Sequence, residues 1–109
     1  LDMTNSDRDL ILSKCIESNE SAIIITHGTD TIVETAAYLA KSLKDKTVVL
    51  FGSMIPYSID NSDALFNLGV ALSAVQLKEP GVYIAMNGQV FNWDNVTKNK
   101  DLGIFQNQK

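Results

Sequence analysis

The chain has 109 residues, 45% of them hydrophobic and 20% charged, with a formal net charge of −4. That is the profile of one small globular domain built round one core. An acidic balance without a Lys/Arg cluster offers no surface for displacing counterions from phosphate backbones, which argues against nucleic acid as a partner. The longest apolar runs fall well short of the ~18 residues of a membrane span, so no membrane partner is expected.

Thr4 or Asn5 can cap a first helix, with Asp7 and Asp9 near its start, where the helix dipole favours acids. The helix continues over Leu10 to Ser18, and Asn19 and Glu20 break it. Its single cysteine, Cys15, lies at helical spacing from Ile11 and Leu12. It reads as a small buried apolar residue, with a reactive thiol as the alternative. Ser21 to Thr26 reads as a strand whose unbroken apolar run predicts burial on both faces, as in parallel sheets. Asp30 or Thr31 opens a second helix to about Leu43, with a broad apolar stripe through Ile32, Val33, Ala36, Ala37, Leu39, Ala40 and Leu43. Thr47 to Phe51 is a second buried strand, ended by Gly52.

A loop over Ser53 to Asn61 follows. Asn61 or Ser62 caps a third helix to about Leu77, with Leu65, Leu68, Leu72 and Val75 expected to face inward. Pro80-Gly81 ends that segment. Val82 to Met86 is a third strand, and Asn87-Gly88 is a hairpin signal into Gln89 to Phe91. Asn92 to Lys109 reads as polar and loop-like, with a short apolar spot at Leu102 to Phe105. Alternating helices and strands predict an α/β three-layer sandwich with a mainly parallel sheet. Three strands make a thin core, so the sheet is expected to be incomplete at the N-terminus or covered by a partner chain.

The stretch from Ile23 to Thr31 carries the most chemistry. A β-branched run ends in a polar turn that leads straight into a helix, the layout of a ligand site at the carboxyl end of a buried strand. Gly28 allows close approach of a ligand. Thr29 offers a hydroxyl and Asp30 a carboxylate; both types also serve as plain N-caps. His27 reads as a structural hydrogen-bonder in preference to a base. A threonine hydroxyl is a weak nucleophile until a base takes its proton. A lysine does that only when burial or a nearby cation depresses its pKa. Lys98, in a non-periodic segment after a strand, is a faint candidate by itself. His27 and Cys15 are too few for a metal set.

Thr26-His27-Gly28-Thr29-Asp30-Thr31, followed by Glu34-Thr35-Ala36, resembles the second signature of the bacterial L-asparaginases of the threonine-nucleophile type. Val49 to Pro56 resembles that family's strand and Gly-Ala-Met-Arg-Pro loop. Ser62-Asp63-Ala64 with Phe66-Asn67-Leu68 resembles its Ala-Asp-Gly and Phe-Asn-Leu helix start. Gly81 to Asn87 resembles its Gly-Val-x-x-x-Met-Asn strand, and Asp94 to Lys98 the segment with the catalytic lysine. The matches run in order over nearly the whole chain.

The resemblance implies a Thr–Lys–Asp arrangement. Thr29 would activate a water or attack the substrate, and Lys98 would accept and return its proton. Asp30 would orient Lys98 and hold the substrate's α-ammonium group. The backbone carbonyl at Ser53 would accept a hydrogen bond from the substrate amide. The implied reaction is hydrolysis of L-asparagine to L-aspartate and ammonia without metal or cofactor, in a cytoplasmic homo-oligomer.

The chain also departs from the family pattern. The Thr-Gly-Gly-Thr-Ile signature, its flap tyrosine and the smaller C-terminal domain are absent. Leu1 stands in the place of the glutamine in the substrate-gripping Ser-Gln pair. Ile55 replaces the loop arginine, and Ala64 the glycine after Asp63. Residues 1–109 are therefore expected to form a single α/β domain, part of the family's N-terminal domain. The chain opens on Leu1, not Met, and is expected to be a fragment, with a truncated, inactive protein as the competing explanation. Either way, hydrolysis by these residues alone is expected to be poor or nil. Two other readings stay open. One is a non-catalytic asparagine- or aspartate-binding module. The other is the asparaginase-like subunit of a tRNA-dependent amidotransferase.

Overall fold

The computed structural model describes residues 3–56 and 58–108. Leu1, set against the family's glutamine, lies outside them. Helix α1 spans Asn5–Glu17 and starts at Thr4 with a capping box: the Asp7 N–H donates to the Thr4 hydroxyl, and the Thr4 N–H to the Asp7 carboxylate. Each interaction satisfies a donor that the first helical turn leaves orphaned. Cys15 faces the core, and burial pushes its thiol up against the pull of Lys46, the opposite of a reactive cysteine. Past the end of α1, Lys46 Nζ donates to the carbonyls of Ser18 and Glu20 and fastens the chain to the next strand pair.

Strand β1 is Ala22–Thr26, β2 is Thr47–Phe51, β3 is Gly81–Met86 and β4 is Gln89–Asn92. They form one sheet in that order, parallel across the first three and antiparallel at β4. Helix α2, Ile32–Ala40, lies with α1 on one face, where Ile32, Ala36, Leu39 and Cys15 pack on Val48, Leu50, Val82 and Ile84. Helix α3, Ala64–Leu77, covers the other face, with Ala71, Ala74 and Val75 against Val49, Phe51 and Ala85. The three-layer arrangement and mainly parallel sheet are those the alternating pattern predicts. Among the described residues, no helix is long and apolar enough to cross a membrane.

Four details differ from the sequence reading. First, β1 is half-buried where full burial is expected, because among the described residues it lies at the sheet edge and pairs only with β2. Its neighbour β2, flanked on both sides, is buried throughout. Second, α2 ends at Ala40, not Leu43. The Leu39 carbonyl accepts from the N–H groups of both Ser42 and Leu43, and this tight turn still delivers Leu43 to the core.

Third, α3 is rotated from the expected face: Val75 is buried and Leu68 packs against the core as expected, but Leu65 and Leu72 do not. Leu65 is 63% and Leu72 46% exposed, while Asn67, Ala71, Ala74 and Val75 meet the sheet. Small side chains let the helix axis come close to the sheet, and Asn67 is hydrogen-bonded beneath it, which sets the rotation.

Fourth, the segment read as loop-like contains a hairpin, β5 (Thr97–Asn99) and β6 (Ile104–Gln106). It is anchored by Val96 and Phe105, both nearly fully buried, and by the Asn87 side-chain amide donating to the Phe105 carbonyl. Burying a phenylalanine stabilises by roughly 1.5–3 kcal/mol, enough to hold strands three residues long that could not stand alone. Asn87-Gly88 turns as its sequence predicts, with φ of 55° and 72° at the two residues, the paired left-handed conformation of a tight hairpin.

Candidate active site

The site forms where β1 and β2 end side by side. The ladder runs one step past β1, with the His27 N–H donating to the carbonyl of Phe51, the last residue of β2, at 2.8 Å. The two exits then come very close. A Cβ added at Gly52 would lie 2.3 Å from the His27 carbonyl oxygen and 3.0 Å from the Thr29 methyl. Only glycine fits that contact.

The turn after β1 presents Thr29 and Asp30. Neither acts as an ordinary cap. The N-cap of α2 is Thr31, and it makes no side-chain capping bond. Instead, Lys98 on β5 reaches across. Its Nζ donates to Thr29 Oγ1 at 2.9 Å and to Asp30 Oδ1 at 2.7 Å. Lys98 is 14% exposed and Asp30 83% exposed. In the hairpin register Lys98 stands opposite Phe105, so the buried ring fixes the strand that presents the ammonium. The Lys98 hydrogen bond, and then its charge, hold the Asp30 carboxyl below the ordinary carboxylate value; burial opposes this and Lys100 adds to it. Three sequence-predicted residues, separated by 68 and 69 positions, thus meet at proton-transfer distance.

Ser53 is placed differently. It sits on the turn after β2 and makes no hydrogen bond with Thr29, Asp30 or Lys98 among the described residues. With His27, Gly28, Gly52 and Ala64 it lines a groove of about 480 Å³ between the strand ends and the start of α3. This turn is held from below by Asp63, whose Oδ2 and Oδ1 accept from the Met54 and Ile55 N–H groups at 3.0 Å each. Asn67, 1% exposed, donates from Nδ2 to the Gly52 carbonyl at 2.9 Å and to Asp63 at 3.0 Å. Burial pushes the Asp63 carboxyl up, but these N–H donors outweigh it, and the group lies below its ordinary value.

Sequence reasoning assigned no site role to Asp63 or Asn67. The available signal was an acid and an amide four residues apart at a helix start, both able to point back at the preceding loop. His27 is 7% exposed, and its Nδ1 lies 2.8 Å from the Gly28 carbonyl, so that nitrogen carries the proton. Its ring makes no hydrogen bond with Thr29 or Lys98 among the described residues. Among the described residues, no group of three or more His, Cys, Asp and Glu side chains could hold a metal ion.

Comparison with known proteins bears on the same segments. The sequence model described as "Asparaginase, N-terminal" matches residues 2–107. An L-asparaginase from Thermococcus kodakarensis is 39% identical over 84 residues, 75% of this chain and 26% of that protein. A glutamyl-tRNA(Gln) amidotransferase subunit from Methanococcus vannielii is 36% identical over 76 residues, 69% of this chain and 18% of that protein. The solved structure of the thermostable L-asparaginase from Thermococcus kodakarensis superposes with a TM-score of 0.88 at 33% identity, covering 96% of this chain and 34% of that one. The chain therefore spans about a third or less of the length of these relatives. Together with the match over residues 2–107, these similarities make the chain a member of the asparaginase family.

Proposed function

We propose that residues 1–109 form one α/β domain with asparaginase-type amidohydrolase chemistry, converting L-asparagine and water to L-aspartate and ammonia. The observation that carries this reading is the Lys98 ammonium within hydrogen-bond reach of both Thr29 and Asp30. In the reacting form, Lys98 with a free lone pair takes the proton of the Thr29 hydroxyl. Thr29 Oγ1 then attacks the amide carbon or activates a water that does so. The proton returns through Lys98 to the departing nitrogen, which leaves as ammonia, and water supplies the new carboxyl oxygen. Asp30 holds Lys98 through Oδ1, leaving Oδ2 for the ligand's α-ammonium group. The Ser53 carbonyl accepts from the ligand amide. The chemistry requires no metal or cofactor.

These 109 residues contain no Thr-Gly-Gly-Thr-Ile segment, so ammonia release by them alone is expected to be weak while ligand binding persists. Calorimetry with asparagine and aspartate, alongside an ammonia assay, tests this. Binding with little or no ammonia release fits the chain acting alone as a binding module. Lys98→Met is expected to abolish whatever turnover the wild type shows while the fold stays intact. Wild-type ammonia release by that variant would refute the Thr–Lys pairing.

A second reading, the asparaginase-like subunit of a tRNA-dependent amidotransferase, is favoured by the similarity to the Methanococcus vannielii protein. The net charge of −4 weighs against direct contact with tRNA. Homo-oligomer formation is also part of the proposal, supported by the exposed Leu65, Phe66, Leu72 and Leu77 on α3; sedimentation at several concentrations tests it. So is a cytoplasmic location, since a lone buried thiol suits a reducing compartment; cell fractionation decides it.

A further inference from the structure

The two peptide groups that flank Ser53 are both held from the start of α3. Asn67 Nδ2 grips the carbonyl of the Gly52–Ser53 peptide at 2.9 Å. Asp63 Oδ2 grips the N–H of the Ser53–Met54 peptide at 3.0 Å. The second contact has a directional consequence. There is no cis peptide bond among the described residues, and in a planar trans peptide the N–H and C=O point in opposite directions. With the Met54 N–H turned onto Asp63, the Ser53 carbonyl must face away from it. No group among the described residues donates to that carbonyl.

We infer that Asp63 is a positioning residue that acts through the Met54 N–H to present the Ser53 carbonyl as an acceptor for a carboxamide N–H, with Asn67 locking the preceding peptide. The inference rests on the asparaginase-type reading and extends it to discrimination between ligands. A carboxamide can donate to this carbonyl; the carboxylate that replaces it in the product cannot. The turn therefore favours substrate over product by a backbone atom, with no side-chain donor involved. Two features make the arrangement more than loop scaffolding. The carboxylate uses one oxygen for Met54 and the other for Ile55. Asn67 ties that same carboxylate to Gly52, the residue pressed against His27 and Thr29. The two peptides are thus held relative to the Thr29 turn as well as to each other. Fixing them in advance removes an ordering cost that the ligand would otherwise meet.

The test uses the full chain with Ser53 labelled at its carbonyl carbon, titrated separately with L-asparagine and L-aspartate. The carbonyl signal is expected to move with asparagine and to stay nearly still with aspartate. Asp63→Asn keeps only one acceptor oxygen. Amide exchange at Met54 or Ile55 should then become fast, and the calorimetric affinity for asparagine should fall roughly tenfold while that for aspartate changes little. Equal loss of both ligands would mark a merely structural role and overturn the inference. So would unchanged asparagine binding, or a Ser53 signal that moves equally with both ligands; these outcomes leave the functional reading standing. If the wild-type chain binds neither ligand, the functional reading fails and the inference falls with it. The labelled wild-type titration needs no variant, so a folding failure of Asp63→Asn leaves the inference open to refutation.

Discussion

The two turns that close β1 and β2 lie side by side yet work in opposite ways. The first, Gly28 to Thr31, offers side chains: Thr29 and Asp30 project and are gathered by Lys98 from the distant β5. The second, Gly52 to Ile55, offers backbone: its N–H and C=O groups are oriented by Asp63 and Asn67 from the adjacent helix start. The first depends on a long-range partner delivered by a weak hairpin, the second on a clamp of two residues four positions apart. A side-chain site is easily abolished by one substitution on either partner. A backbone site persists through changes at its own residue, Ser53, and is lost through changes at the residues beneath it.

The sharpest way to separate the two turns is Phe105→Ala. Removing a buried phenylalanine side chain typically costs about 3–5 kcal/mol. Here the loss should fall on the β5–β6 hairpin, withdrawing Lys98 while the second turn keeps its bonds. Denaturant unfolding, with amide exchange at Met54 as reporter, checks this; a Met54 amide that becomes exposed along with Lys98 would break the comparison.

Gly52→Ala is expected to damage both turns together, because the new Cβ meets the His27 carbonyl oxygen, a backbone atom that cannot step aside. The cost should be about 1–3 kcal/mol, read as a lowered unfolding midpoint. An unchanged midpoint would show that the two exits are not rigidly joined.

Acid tests the second turn through Asp63. The Asp63 carboxyl lies below its ordinary value in the folded chain. Its contribution is therefore present above the unfolded-state value of about 4 and is lost as pH falls through the lower folded-state value. Thermal stability should decline over that acid range, and Asp63→Asn should flatten the decline. A wild-type-like acid profile in the variant would remove Asp63 from this role. The smallest effect on stability is expected from Asp30→Asn, which loses the charge partner of Lys98 at an exposed position and should also weaken ligand binding. Stability should hardly move, whereas the salt dependence of ligand binding should weaken.

Much of this architecture is legible in the sequence, for physical reasons that vary by element. Strand β2 declares itself through Val48, Val49 and Leu50 because a central parallel strand is buried on both faces. Asn87-Gly88 declares its turn because both residues must adopt positive φ. The face of α3 misleads at Leu65 and Leu72, though not at Leu68 and Val75, because leucines at helical spacing suggest a core stripe, whereas close packing on the sheet selects Ala71 and Ala74. Strands β5 and β6 are hidden because Thr97-Lys98-Asn99 has no apolar alternation; Val96 beside it and Phe105 across from it supply the anchoring.

The site divides along the same line as the two turns. Thr29, Asp30 and Lys98 carry recognisable chemistry and a family resemblance, and the fold brings all three together. The Ser53 carbonyl entered only through that resemblance, and Asp63 and Asn67 stood in its motifs without a role, because a carbonyl oxygen belongs to every residue and its orientation is set by others.

Among the described residues β1 lies at the edge of the sheet, and this has a consequence for residues 1–109 taken alone. Along Ala22–Thr26 three consecutive isoleucines border unpaired backbone, with no lysine, proline or bulge to deter another strand. Self-association nucleated there would add strands one chain at a time, and a net charge of −4 spread over the whole surface opposes it only weakly. For these residues alone, a single lysine replacing Ile24 should therefore raise the concentration at which chains associate through this border.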